Sequence, residues 1–449
     1  MRFRLSVLLL AAASLGSAAR PLQAQGGLRG KISQLFIFGP GSDPLFLSGS
    51  ADPSNPAAIQ IHGTHFEPSS AADNASVISF VGYSIGSTVA NLPVGSTSGG
   101  ETFRFENGIP VKTSVSAGPI FGERATTLGR GRTTLGVNQS GFHLATLRGV
   151  DLNNVNLTFT HENVTGAACD SIEAQSCAPL GVPLHENDVI NVQMALDIDV
   201  HVTSFYLTYG VTDRLDVGFV VPVVSTDLRG DSFAQIVPFG GGTVQHFFSG
   251  TASAPVLDAS RSVHGSAVGL GDVSARAKAN LRRSDRTSVA LLADARFPTG
   301  STNDLLGAGT FSGRGLLVLS SQLGGVAPHA NVGYLYRAGN RQNDAVLGTL
   351  GLDTQIATGV TLAADLLSEL EVGASKLTLP QPVVYSSPYR RTVNPTDIPD
   401  TRDDIINGSF GFKLVPKRGV TGIVNALFPL NRGGLRPGVT YTAGAEFNF

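Results

Sequence analysis

Apolar residues recur at every second position through much of the chain beyond residue 130. In the stretch 209–224, YGVTDRLDVGFVVPVV, a turn-like patch precedes Leu215, Val217, Phe219, Val221 and Val223 on one side. A period of two marks a strand with one apolar face. The preceding run, 197–208, also alternates, and its other face carries Asp197, Asp199, His201 and Thr203. In DVSARAKANLR (272–282), Val273, Ala275, Ala277, Ala279 and Leu281 oppose Asp272, Ser274, Arg276, Lys278, Asn280 and Arg282. The next strand sets Val289, Leu291, Ala293, Ala295 and Phe297 against Asp294 and Arg296. Later polar faces hold His329, Asn331 and Arg337, then Asp365, Glu369 and Glu371, then Asn407, Ser409 and Lys413.

This pattern predicts strands near 131–148, 188–209, 215–226, 268–282, 287–298, 312–322, 326–337, 344–354, 359–372, 403–415, 419–429 and 438–449. Their connections alternate. Short ones fall at 210–214, 283–286, 323–325, 355–358 and 416–418; longer ones fall at 149–187, 227–267, 299–311, 338–343, 373–402 and 430–437. With 54 glycines and 24 prolines the chain is rich in turns, which suits either a large β-sandwich or a barrel. The final TYTAGAEFNF favours the barrel. Tyr441, Ala443, Ala445, Phe447 and Phe449 form one apolar face that ends on an aromatic, as in outer-membrane barrels closed by their last strand. Short periplasmic turns, longer extracellular loops and an even strand number are that architecture's marks. The expected fold is all-β: a transmembrane antiparallel up-and-down barrel of twelve strands, with fourteen as the alternative, spanning residues 126–449.

In such a barrel apolar side chains meet lipid and polar ones line the lumen. Closure satisfies every backbone group without leaving an edge. The candidate lumen lining is therefore Asp199, His201, Arg276, Lys278, Asp294, Arg296, His329, Arg337, Asp365, Glu369, Glu371 and Lys413. Both polar faces of the 268–298 hairpin are even-numbered, so paired residue numbers sum to an even value. A sum of 570 sets Arg276 opposite Asp294 and a sum of 572 sets Lys278 there, an ion pair in either register. The mixed lining argues against a strongly ion-selective porin.

The chain begins MRFRLSVLLLAAASLGSAARPLQAQ, the basic, apolar and small-residue layout of a secretory signal peptide over residues 1–24. Cleavage after Ala24 is expected, with Ala19 as the alternative site. The apolar run is shorter than the roughly 20 residues of a spanning helix. Cleavage removes Arg2, Arg4 and Arg20 from 32 basic residues, leaving 29 against 34 acidic ones and a net charge of −5. That balance suggests no nucleic-acid partner. Cys169 and Cys177, alone in an exported chain, are read as a disulfide closing a small loop.

Residues 25–125 are too many for a simple lead-in. They hold a helical stripe of Val77, Val81, Ile85 and Val89 and a hairpin candidate, FRFENGIPVKTS at 103–114. A plug inside the lumen is the favoured reading, against a periplasmic segment or two further strands. Gly82-Tyr83-Ser84-Ile85-Gly86 matches the nucleophile elbow of hydrolases but lacks the strand-turn-helix setting, so no enzyme is expected. His62 and His65 lack further zinc ligands. Asp397, Asp400, Asp403 and Asp404 lack the spacing of a calcium loop. No phosphate-binding loop is present, and no cofactor is expected.

YGVTDRLDVGFVVPVV, GLGDVSARAKANL (269–281), ARFPTGSTNDLLGAG (295–309) and HANVGYLYR (329–337) resemble outer-membrane proteins associated with the meta pathway of phenol degradation. GPIFGERATTLGRGR (118–132) shares the likeness. That family is similar in turn to FadL-type channels, whose N-terminal hatch Asn55-Pro56-Ala57 resembles. The resemblance implies an outer-membrane location and passive import of small, hydrophobic or aromatic molecules. The expected partners are outer-membrane lipid and lipopolysaccharide, a small-molecule substrate, and the barrel-assembly machinery, met through the strand ending at Phe449. The alternative is a non-transporting barrel whose long loops bind a partner or surface. Fold alone does not decide between them.

Overall fold

The computed structural model describes residues 27–38, 45, 47, 80–86, 88, 103–106, 109–112, 116–160, 187–240, 244, 246–251, 253–284, 286–385 and 389–449. The signal peptide, the two cysteines, and His62 and His65 lie outside the described residues.

Twelve antiparallel strands close into a barrel: β1 (Thr133–Leu147), β2 (Val189–Gly210), β3 (Leu215–Val237), β4 (Ser274–Arg283), β5 (Thr287–Arg296), β6 (Ser312–Ser321), β7 (Val326–Arg337), β8 (Ala345–Ala357), β9 (Val360–Glu371), β10 (Ile405–Lys417), β11 (Val420–Pro429) and β12 (Thr440–Asn448). Each pairs with its sequence neighbours, and β12 returns to β1 through Tyr441↔Gly141 to Asn448↔Thr134. Thr133 and Phe449 exchange backbone hydrogen bonds of 3.2 and 2.9 Å at the seam. The closed ladder leaves no barrel-strand edge to be satisfied within lipid. Tight turns join the strands at one end. Gly359 (φ +71°) and Gly419 (φ +79°) supply the left-handed residue of two of them.

Side chains alternate across the wall as the sequence demands. On β12, Thr440, Thr442 and Glu446 are buried inside while Tyr441 is 66% and Phe447 is 41% exposed outside. An outward belt of Leu135, Phe205, Phe219, Leu291, Val332, Leu350, Phe410 and Val424 is exposed around the wall. Such a belt is stable only against lipid, so the molecule is an outer-membrane β-barrel that crosses by strands. No helix among the described residues is long and apolar enough to cross. On β3 the outward apolar run Leu215, Val217, Phe219, Val221 and Val223 spans nine residues, the length of a transmembrane strand.

Two expectations are corrected. The predicted 268–282 strand breaks at Gly271–Val273, and 227–267 is not simply a loop. β3 continues to Val237, and Asp258–Leu270 returns along it with Leu270↔Val223, whereas β4 pairs only with its lower part through Ser274↔Val220. The cause lies in the alternation above the membrane. Asp227, Arg229 and Asp231 point out while Leu228, Ser232, Ala234 and Ile236 are buried, which is a water-facing strand with an apolar interior. At 22 and 23 residues, β2 and β3 stand above the other strands.

The interior is divided. Towards the extracellular end, Ile190, Val192, Met194, Leu196, Ile198 and Val200 of β2 and Leu228 and Ile236 of β3 form an apolar core. The helix α1 (Leu28–Gln34) lies in it, with Leu28, Ile32 and the following Leu35 at helical spacing on the buried face. Burying each such side chain contributes about 2 kcal/mol. The backbone N–H of Arg29, unpaired within the helix, donates to Asn303 O at 2.9 Å. Towards the tight turns the interior is polar and charged. Strands 103–106 and 109–112 pair as the expected hairpin.

Candidate functional site

Of the residues assigned to the lumen, Arg276, Lys278, Asp294, Arg296, His329, Arg337, Asp365 and Lys413 are buried on inward faces, and Glu369 and Glu371 share the inward side of β9 half-buried. Asp199 and His201 are not inward. They share the side of Phe205, Leu207 and Tyr209 on β2 and are exposed on the outer wall. Above the lipid belt the outward face meets water, so polar residues there need no lumen. The strand partners are Arg276 and Asp294, the register with sum 570, and their ion pair measures 2.8 Å. Asp294 also lies 3.5 Å from Arg314, so two guanidiniums share one carboxylate.

Segment 116–128 runs through the interior against the walls, and residues 116–125 are all buried. Its backbone is held by inward side chains where a β-ladder would use another strand. Asn331 Nδ2 donates to Glu123 O at 3.0 Å, while Asn331 Oδ1 accepts from Glu123 N at 2.9 Å. Ala117 N donates to Thr361 Oγ1 at 2.8 Å, and Asn280 Nδ2 donates to Ala125 O at 2.7 Å. Arg124 pairs with Asp353, and Lys278 lies 3.6 Å from Glu123. His329 bridges towards Asp365 at 2.6 Å, and Asp365 accepts from Gly122 N at 3.3 Å. Across the barrel, Lys413 and Glu446 face each other fully buried at 3.5 Å, with Tyr206 Oη donating to Glu446 at 3.0 Å.

A second anchor sits where the 258–270 strand gives way to β4. Asp272 accepts from Gly300 N at 2.9 Å and from Ala308 N at 2.8 Å. It thereby ties GLGDVS to FPTGSTNDLLGAG, the loop whose Asn303 receives α1. Burial raises its carboxyl above the ordinary carboxylate value, against the lowering effect of these donors.

Between segment 116–128 and the wall of β6–β11 lies a cavity of about 210 Å³. Phe121 and Glu123 lie at its edge on that segment, and Phe80, Ser84 and Thr88 come from the N-terminal region. Leu316, Leu347, Leu367, Leu427 and Leu435 supply apolar surface; Arg314, Arg337, Arg436, Glu369 and Asp403 supply charge. Arg337 is paired with Glu369. Arg148 grips Asp403 at 2.7 and 2.9 Å.

Other sequence motifs resolve into local structure. Ser84 stands in the helical run 80–86, not on a strand-to-helix turn, so the elbow geometry is not formed there. The acidic stretch is neutralised in pieces: Arg148 takes Asp403, Arg402 takes Asp404 at 3.0 Å, and Asn156 donates to Asp397. The Arg402 hydrogen bond holds the Asp404 carboxyl below its ordinary range. His143, Asp197 and Asp199 place one ligand atom each within 4.8 Å of one another on the outer wall, half-exposed. Asp353, Arg314, Arg436 and Glu446 were missed. For Glu446 the signal was present, since it opposes Phe447 in a strand read for its apolar side alone.

No curated protein matches the chain. Among solved structures it is similar to an outer membrane channel from Pseudomonas putida F1, at 13% identity over 72% of this chain and 98% of that one, with a TM-score of 0.41. The P. putida toluene transporter TodX shares 10% identity over 78% of this chain and 98% of its own, with a TM-score of 0.32. A Pseudomonas aeruginosa FadL homologue shares 11% over 71% and 89%, with a TM-score of 0.30. Residues 184–414, just over half of the sequence, match the family described as "Putative MetA-pathway of phenol degradation", and the chain belongs to that family.

Proposed function

We propose that this protein is a passive outer-membrane channel for small hydrophobic or aromatic compounds, with its N-terminal residues 25–125 acting as a plug. The carrying observation is the interior cavity of about 210 Å³ between segment 116–128 and the barrel wall, built from leucine and phenylalanine surface with a few charged groups. Ligand sites have this mixture of apolar walls and sparse polar anchors. Phenol degradation in the family's description supports an aromatic substrate. Lipopolysaccharide is the proposed neighbour of the outer wall around Asp199 and His201. The barrel-assembly machinery is the proposed reader of the strand that ends at Phe449. No catalytic step is assigned to the chain.

The filled end of the lumen, with Lys413 against Glu446 and His329 against Asp365, favours a second reading, a non-transporting barrel whose loops bind a partner. Reconstitution in liposomes separates the two. Entry of phenol is compared with entry of a sugar of similar size, with residues 25–125 present and deleted. Saturable, preferential entry of phenol into the intact form is expected. Equal entry of both would mean a general pore, and entry of neither in both forms would leave the surface-binding reading.

A further inference from the structure

Among the charged groups around the cavity, Arg436 is singular. It is 2% exposed, yet no carboxylate among the described residues lies within ion-pair distance of it. Its Nη2 donates to Ile406 O at 2.9 Å and Asn407 Oδ1 at 2.5 Å, both neutral oxygens. Its Nε has no hydrogen-bond partner among the described residues. Of the carboxylates on the cavity, Glu369 is engaged by Arg337, Asp403 by Arg148, Glu123 by Lys278, and Glu371 accepts from the Asp403 backbone N–H. Among the described residues Arg314, on the same cavity, has only a share of Asp294. A buried charge with no carboxylate in contact is costly, and an anionic ligand would supply the missing partner. Burial lowers the Arg436 guanidinium to about 10, against the raising effect of the Glu369 carboxylate, which lies beyond ion-pair distance.

The volume restricts the ligand further. An apolar cavity of about 150 Å³ holds one benzene ring, so about 210 Å³ leaves room for a ring and one small substituent. Leu427 and Leu435 offer apolar surface beside the arginine. We infer that the cavity binds a monoaromatic carboxylate, with its ring against the leucines and its carboxylate on Arg436. This inference rests on the channel reading and narrows it from aromatic compounds in general to the anion. A planar guanidinium matches a carboxylate in charge and geometry, whereas a neutral phenol or alcohol leaves the charge unmet.

The test uses the full chain, refolded in detergent, and measures binding of benzoate and of its neutral analogue benzyl alcohol by calorimetry. Wild type is expected to prefer benzoate by about tenfold or more, the range of a charge-assisted contact. Arg436→Gln is expected to bring the ratio near one while benzyl alcohol binds as before. Asn407→Asp keeps the arginine and sets a carboxylate of nearly the same shape beside it. It is expected to cut benzoate binding about tenfold without disturbing the barrel, which guards against a folding defect in the first variant. A wild type with no preference for benzoate, or a preference that survives both substitutions, overturns the inference. Binding of benzyl alcohol in that case would leave the aromatic channel standing. Binding of neither compound, together with no liposome entry, would remove the channel reading as well.

Discussion

Asn331 holds segment 116–128 with one side chain that imitates a strand rung, so Asn331→Ala tests the proposed plug directly. The change deletes hydrogen bonds of 2.9 and 3.0 Å to Glu123 N and O. Each is worth about 1 kcal/mol net, and a backbone group left dry costs about 1–3 kcal/mol. Asn331 borders the cavity, so water can reach the freed groups and the lower figure applies, about 2 kcal/mol in all. That is roughly a 30-fold shift between seated and released segment. Single-channel recording in planar bilayers should show openings about 30 times more frequent than in wild type, with unchanged conductance per opening. Deletion of residues 25–125 gives the fully open reference. If the deletion conducts and Asn331→Ala behaves as wild type, the segment is not held by this rung, and the energetic argument fails.

Four further outcomes are expected. Gly122→Ala would bring a Cβ within 2.2 Å of His329 Nε2 and 2.8 Å of Asp365 Oδ1, so it should also raise opening frequency, by displacement rather than by lost bonds. Lys413→Met strands Glu446 in a buried site and should cost about 3–5 kcal/mol in urea unfolding from vesicles; a Lys413→Met/Glu446→Gln double variant that is no more stable would contradict this. The raised Asp272 carboxyl means the folded state keeps that proton to higher pH than the unfolded chain. Its contribution is full below the unfolded value of roughly 4 and is lost as pH rises through the folded one. Thermal unfolding against pH should therefore fall less steeply in Asp272→Asn than in wild type, with parallel curves counting against the assignment. Asp199→Asn and His201→Ala face outward and should leave ion selectivity unaltered, whereas a selectivity change would restore them to the lumen.

The barrel was legible because period-two alternation is local. Arg276 and Lys278 against Ala275 and Ala277 suffice to mark two faces, and parity alone allowed the Arg276–Asp294 pairing. Which face points inward is not local. For β4 to β12 the lipid rule gave the right sense, but on the upper part of β2 the same rule put Asp199 and His201 inside. There Ile198 and Val200 belong to one buried apolar cluster with Leu28 and Ile32 of α1, more than 150 residues away in sequence. The cavity was hidden for the same reason. Phe80, Phe121, Arg314 and Arg436 come from four distant stretches, and Arg436 sits in a connection where no alternation singles it out.

The reversal of polarity along β2 and β3 has a consequence for how the molecule rides in its membrane. Outward, Phe205 gives way to Thr203 and Val223 to Ser225, each within a single two-residue step. That step is a waterline written into one sector of the wall, and the same two strands rise far above it. An apolar pair at that level would lift the line by about 6.6 Å along the strand, and on one side of the barrel only. The bilayer would answer by tilting the barrel or thickening beside that sector. The tilt of this barrel is thus governed by a handful of outward side chains that never touch what passes inside.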